Sequence, residues 1–160
     1  MSRWFERMRS LSFEKDEKLI FNACRYPIYE CWIDSDWEDS RLFNVLVVRQ
    51  LPLLRYTIAA FMVDTLCRGV IDTLWDADLQ YDGVLYYKKD MEYEDAPLVE
   101  IPFEDARGLV LGAVAYAKGV GIEPEFPEWW KFSKYMLEPN RPFEDKFEFG
   151  RDGRPQKSGG

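Results

Sequence analysis

The chain contains no histidine. That absence removes the commonest general base, the Ser-His-Asp and Cys-His nucleophile systems, and every zinc site that depends on imidazole. Cysteine is scarce: Cys24, Cys31 and Cys67 are separated by 6 and 35 residues. This is not a C-x-x-C ladder, and three thiolates do not complete an all-cysteine tetrahedral site. Cys31 and Cys67 sit in apolar stretches and read as small buried hydrophobes. The odd thiol count, with no apolar leader after Met1, Ser2, Arg3 and Trp4, points to a reducing, cytoplasmic compartment. No apolar run approaches the roughly 20 residues of a membrane span. A phosphate loop is missing too, since GLVLG at 108–112 lacks the Lys-Ser/Thr pair. What is present is 160 residues with 47% apolar and 16% aromatic content, enough for one domain with its own core. A chain of this size buries roughly 70% of its unfolded surface, so neither disulfide nor metal is required for folding.

Positive charge is in deficit, and unevenly so. The formal net charge is −8, and the stretch 76–105 alone holds ten acids against Lys88 and Lys89. A second acidic cluster, Asp34, Asp36, Glu38 and Asp39, has no base inside it. Such surfaces repel phosphate backbones, so no direct nucleic-acid backbone binding is expected and basic proteins or cations fit better. Solubility of an aromatic-rich chain is the plainer use of the same charge.

Along the chain, Met1, Trp4, Phe5, Met8 and Leu11 recur at helical spacing with Arg3, Arg7 and Arg9 between them, a short helix that packs on its own domain, a partner or a membrane surface. Ser12 is placed to cap a helix running to Arg25, with Phe13, Leu19, Ile20 and Ala23 on its apolar face and Pro27 as its stop. A strand is expected at 28–33 and a loop at 34–40. The strongest β signal is the pair 44–51 and 55–66, two apolar runs that read as an antiparallel hairpin, covered on both faces or central in a sheet. Residues 73–81 read as a short helix or turn, 83–87 and 98–101 as edge strands, and 88–97 as an exposed loop. Pro102 opens the best helix, 103–118, with Glu104 and Asp105 in its first turn. Gly108 and Gly112, one turn apart on it, imply a close backbone approach to the sheet. A second aromatic helix is expected at 128–137, then a strand-like piece within 144–155 leading into an Asp152-Gly153 turn. The expected fold is therefore α+β: a mainly antiparallel sheet with a central hairpin, covered by helices, in one domain over 1–155, followed by a flexible tail at 156–160.

Several constellations carry possible chemistry. Asp78 to Gly83 partly matches a calcium loop, but Lys89 stands where the bidentate glutamate belongs. Glu144-Asp145-Lys146 contains the E-x-K of magnesium nucleases, with Asp64 or Asp72 as the distant carboxylate. Arg68 is equally placed to pair with either aspartate as a plain salt bridge. The terminal Gly159-Gly160 pair also ends ubiquitin-like modifiers, though nothing else here is of that kind. The most unusual feature is Leu53-Leu54 after Pro52, where a hairpin tip ordinarily carries Gly, Asn or Asp. Two leucines in water leave roughly 1.5 to 3 kcal/mol of burial each unused. They either fold back on the N-terminal helix or enter a partner. Trp37, Tyr86, Tyr87, Trp129 and Trp130 are residue types that serve as interface anchors or as core.

Taken together, PIYECWI (27–33), VLVVRQLP (45–52), FMVDTLCRGVIDT (61–73), AVAYAKGVGIEP (113–124) and FEFGRDGRP (147–155) resemble an uncharacterised bacterial α+β family. Its strand motifs are L-V-x-R-x-L-P and F-x-V-D-x-x-C-x-G-V-x-D, and the resemblance runs from Pro27 to Pro155. It implies a cytosolic α+β domain and no assigned activity. Similar sequences place turn residues such as Asp-Gly where Leu53-Leu54 stands, and tend to carry lysine where this chain has Ile71. Both departures add apolar surface. The reading at this level is a non-catalytic protein-binding or regulatory module, a subunit of a complex, without cofactor. Its contact is made by acidic loops and an apolar hairpin tip, with Leu53, Leu54, Trp37, Tyr86, Tyr87 and Trp129 facing the partner. The alternatives are a carboxylate-based, magnesium-dependent hydrolase or nuclease using Asp64, Asp72 and Glu144, and an acidic mimic of nucleic acid.

Overall fold

A computed structural model describes residues 4–11, 14–94 and 96–156. Five antiparallel strands form one open sheet: β1 (Ile28–Asp34), β2 (Leu42–Leu51), β3 (Arg55–Asp64), β4 (Gly69–Leu79) and β5 (Leu98–Glu100), in the order β4-β3-β2-β1-β5. The protein is thus α+β. The centre is the β2–β3 hairpin, in unbroken register from Leu42 opposite Asp64 to Leu51 opposite Arg55. The middle of each run, Val45–Val48 and Ile58–Val63, is apolar without alternation because helices cover both faces. Val45, Val47, Ala59 and Phe61 point to one face, while Leu46, Val48, Ile58 and Ala60 point to the other.

The first face is covered by α2 (Glu17–Phe21), α5 (Phe103–Gly119) and α6 (Pro127–Ser133), and the second by α1 (Trp4–Leu11) and α4 (Tyr81–Glu94). Helix α1 has only eight residues, too few to persist alone. It is held by Trp4, Phe5 and Met8, all fully buried, and by ion pairs from Arg7 to Asp90 and Arg9 to Asp72. Helix α2 is shorter than the sequence suggested, and its cap is Asp16, whose carboxylate accepts from the Leu19 N–H at 3.1 Å. Met1, Ser12, Phe13 and the expected tail from 157 onward lie outside the described residues. The loop at 34–40 contains a single helical turn, α3 (Trp37–Ser40).

Four expectations are corrected. Residues 73–79 are not helix or turn but the continuation of β4. Its aspartates hid the strand pattern. Asp76 is fully buried and is satisfied from outside the segment, by the Tyr87 hydroxyl at 2.8 Å and the Glu14 N–H at 2.9 Å. Residues 83–87 are not an edge strand, and 88–94 are not a loop: both belong to α4. Val84, Tyr87 and Met91, spaced by three and four, bury its inner face, and Lys88 stands 3.4 Å from the Trp32 ring centroid. Lastly, the glycines of α5 approach the C-terminal segment and not the sheet. A Cβ on Gly108 would lie 3.2 Å from the Phe147 ring, and one on Gly112 only 2.5 Å from Phe149.

That C-terminal segment, 143–156, is a strap with no strand of its own beyond an Arg151–Arg154 bridge around the Asp152-Gly153 turn. Arginines moor the chain from 136 onward through carbonyl oxygens. Arg49 reaches Met136 at 2.9 Å, and Arg107 reaches Leu137, Glu138 and Arg141 at 2.6, 2.9 and 2.7 Å. Arg41 holds the carbonyls of Glu148 and Gly150 at 3.0 and 2.9 Å. Arg49 and Arg107 are buried, and these acceptors make that tolerable for charged groups.

Candidate functional site

The hairpin tip is Pro52–Leu54. Leu53 and Leu54 both adopt left-handed backbone conformations, with φ of 62° and 56°. That region disfavours any residue with a Cβ. Neither side chain is compensated by packing: Leu53 is 93% exposed and Leu54 72%. Folding back onto the N-terminal helix does not occur. Helix α1 is tied to Asp72 and to Asp90, away from the tip, so the leucines stand in solvent.

Around the tip the sheet presents tyrosines and acids. A bulge in β1 between Ile28 and Glu30 brings both Tyr29 and Glu30 toward Tyr81. The Tyr81 hydroxyl donates to Glu30 Oε1 at 2.8 Å, and its ring lies 5.8 Å from that of Tyr29. Tyr56, one residue beyond Arg55, closes the triangle at 4.9 Å from Tyr29 and 5.2 Å from Tyr81. Tyr56 is buried while Tyr29 keeps 45% of its surface. Burial first, then the Glu30 carboxylate, pushes the Tyr81 hydroxyl far above the usual tyrosine range, and burial beside Tyr29 raises that of Tyr56. Both remain neutral donors at neutral pH. Arg55 is neutralised by Asp78 at 2.7 Å, and Asp82 is exposed in the first turn of α4. The collar below the leucines is therefore aromatic and net negative.

The remaining residues singled out from sequence do not join this patch. Tyr87 is a core residue with no exposed surface, and its hydroxyl, spent on Asp76, is raised in pKa by burial and by that carboxylate. Trp129 packs half-buried on Trp75, ring centroids 5.9 Å apart. Trp37 lies between Phe43 and Phe147 at 5.8 and 5.9 Å and lines a cleft of about 180 Å³ with Arg41, Thr65 and Lys146. Tyr86 is half-exposed on α4. The acidic cluster Asp36, Glu38 and Asp39 precedes β2 and so lies at the end of that strand remote from the tip. Ten strand residues span roughly 30 Å. The acidic loop and the leucines therefore lie at opposite ends of the hairpin and do not form one continuous patch.

The metal candidates are likewise occupied or apart. Asp64 caps the turn after β3, taking the N–H groups of Leu66 and Cys67 at 2.9 and 3.2 Å and the Arg68 Nε at 3.1 Å. Asp72 pairs with Arg9, and Glu144 is exposed on the strap. Lys146 serves Asp105 at 2.5 Å. Asp78 ends a strand and Asp82 begins a helix, so they do not form a calcium loop. Among the described residues no three His, Cys, Asp or Glu side chains converge on one point.

No sequence signal joins Tyr29, Glu30, Tyr56 and Tyr81: strand register brings the first three together, and the start of α4 adds the fourth. Among the described residues, no helix is long and apolar enough to cross a membrane. Comparison with protein-family models, with curated proteins and with solved structures finds no match to this chain.

Proposed function

We propose that the chain is a protein-binding module whose contact is the β2–β3 hairpin tip. One observation carries the reading: two consecutive leucines are exposed to water on a backbone that disfavours them. A tip selected for folding alone would carry glycine or asparagine at a left-handed position. Leucine there forgoes roughly 1.5 to 3 kcal/mol of burial, which insertion into an apolar socket would recover. The rigid register of the hairpin presents the two side chains ready-ordered, so little conformational freedom is lost on binding.

Affinity capture with matched baits tests the proposal. A bait with Leu53→Asp and Leu54→Asp is expected to lose the chains that the native bait retains. Tyr93→Ser, a change at an 88%-exposed side chain near the opposite end of α4, is expected to keep them. Equal capture by the native and tip-substituted baits, with both folded, refutes the reading.

A further inference from the structure

We infer that the tip's partner is a protein segment that sets a lysine or arginine beside its apolar socket, the cation resting on the Tyr29 ring and against Glu30. The inference rests on the tip-binding reading and goes beyond it by fixing the chemistry of the partner. Three observations carry it. Tyr29 offers a half-exposed ring whose inner edges are already braced by Tyr56 and Tyr81, which leaves its remaining surface for an incoming group. Elsewhere the chain lays its own cations over rings, Arg9 over Phe126 at 4.0 Å and Lys88 over Trp32 at 3.4 Å. Among the described residues Tyr29 has no such cation. Glu30 accepts one hydrogen bond, from Tyr81 to Oε1, and its second oxygen has no donor among the described residues. An aromatic face next to an under-used carboxylate is the arrangement that favours an ammonium or guanidinium group.

Charge around the tip separates this occupant from two others. With Arg55 committed to Asp78, Glu30 and Asp82 give the collar its sign. Two copies meeting tip to tip would bring like charges together. An anionic lipid surface would meet the same repulsion.

The test uses the full chain with labelled leucine methyls, titrated with two 18-residue amphipathic helical peptides, one of leucine and lysine and one of leucine and glutamate. Vesicles of phosphatidylcholine and phosphatidylglycerol form a third arm. Saturable shifts of the Leu53 and Leu54 methyls are expected with the lysine peptide, at about tenfold higher affinity than with the glutamate peptide. Glu30→Gln keeps the acceptor for Tyr81 and so the fold, and is expected to weaken the lysine peptide about threefold in low salt and not in high salt. Tyr29→Leu keeps apolar bulk and is expected to weaken it by a similar factor. Equal affinity for the two peptides at the tip, or no effect of Glu30→Gln, overturns the cation inference while leaving the tip reading intact. No methyl shift with either peptide overturns both. Shifts with vesicles alone replace a protein partner by a lipid surface and overturn both as well.

Discussion

Leucine at a left-handed backbone position is disfavoured by roughly 1 to 2 kcal/mol, because its Cβ crowds the following carbonyl. Leu53 and Leu54 carry that penalty side by side, and neither offsets it by packing. Asparagine tolerates this region far better. Leu53→Asn is therefore expected to stabilise the fold by about 0.5 to 1 kcal/mol, read as a higher urea midpoint at unchanged slope, while weakening partner capture. A lower midpoint would mean that Leu53 packs on its own domain. The anomaly itself was legible in the sequence, since turn-forming residues were missing from a turn. Its exposure was not, because exposure depends on where α1 settles. The aromatic collar was illegible altogether: Tyr29, Tyr56 and Tyr81 share no sequence period and meet only through strand order, a bulge and the point where α4 starts.

At the level of elements, α5 shows how one residue type takes opposite roles along a helix. Gly112 admits the Phe149 ring of the strap, and an added methyl would sit 2.5 Å from Cζ and 2.8 Å from Cε2. Gly112→Ala is expected to destabilise by about 1 to 3 kcal/mol despite alanine's better helix propensity, since the ring must leave its place. Gly119, the last helical residue, has nothing within 4 Å of its missing Cβ. Gly119→Ala should stabilise by about 0.4 to 1 kcal/mol. Paired denaturation curves decide both, and a loss at Gly119 comparable to that at Gly112 would refute the packing argument. The sequence announced α5 and even its glycines, but the partner of those glycines is a segment more than thirty residues downstream without periodicity. Helix α4 departs from its local signal for a related reason. Its Leu85-Tyr86-Tyr87 looks like strand by local preference, and the buried stripe of Val84, Tyr87 and Met91 overrides it. The sheet edges are closed by side chains and backbone: Glu92 accepts the Leu98 N–H of β5 at 3.0 Å, and the Ala77 N–H of β4 donates to the Glu14 carbonyl at 3.0 Å.

For the whole molecule, charge predicts a window of pH. The Arg141 guanidinium holds the Glu104 carboxyl below its usual range. At Glu138 burial acts upward, but hydrogen bonds from Arg49 and Arg141 outweigh it and the net direction is again down. Their contribution is present above the unfolded value, about 4.3, and is lost as pH falls through the depressed folded values. On the alkaline side burial pushes the Cys31 thiol up to about 12 and raises the hydroxyls of Tyr56, Tyr81 and Tyr87. The folded state keeps those protons while the unfolded chain releases them, so stability declines above about pH 8.5, where an unfolded cysteine titrates. Urea midpoints between pH 3 and 11 should show both limbs. Glu138→Gln should flatten the acid limb and Cys31→Ala the alkaline one, each from a lower plateau. An acid limb of unchanged steepness in Glu138→Gln would remove the carboxylate–arginine network from the explanation.

The amino-acid sequence by itself determined the elements whose evidence is local: the absence of imidazole chemistry, the β2–β3 hairpin with its two-sided apolar pattern, helix α5 with its proline start, and a tip without turn residues. Their signals lie in neighbours and short periods, where sterics and hydrophobic alternation act directly. Folding in three dimensions decided the rest. Buried Asp76, Arg49 and Arg107 read as surface until partners 30 or more residues away satisfy them. Tyr87 turned inward, the acidic loop went to the far end of the sheet, and three scattered tyrosines gathered beneath two exposed leucines. Those outcomes depend on register and on which face each helix covers, and both are settled by the sum of long-range burial, which no short stretch of residues contains.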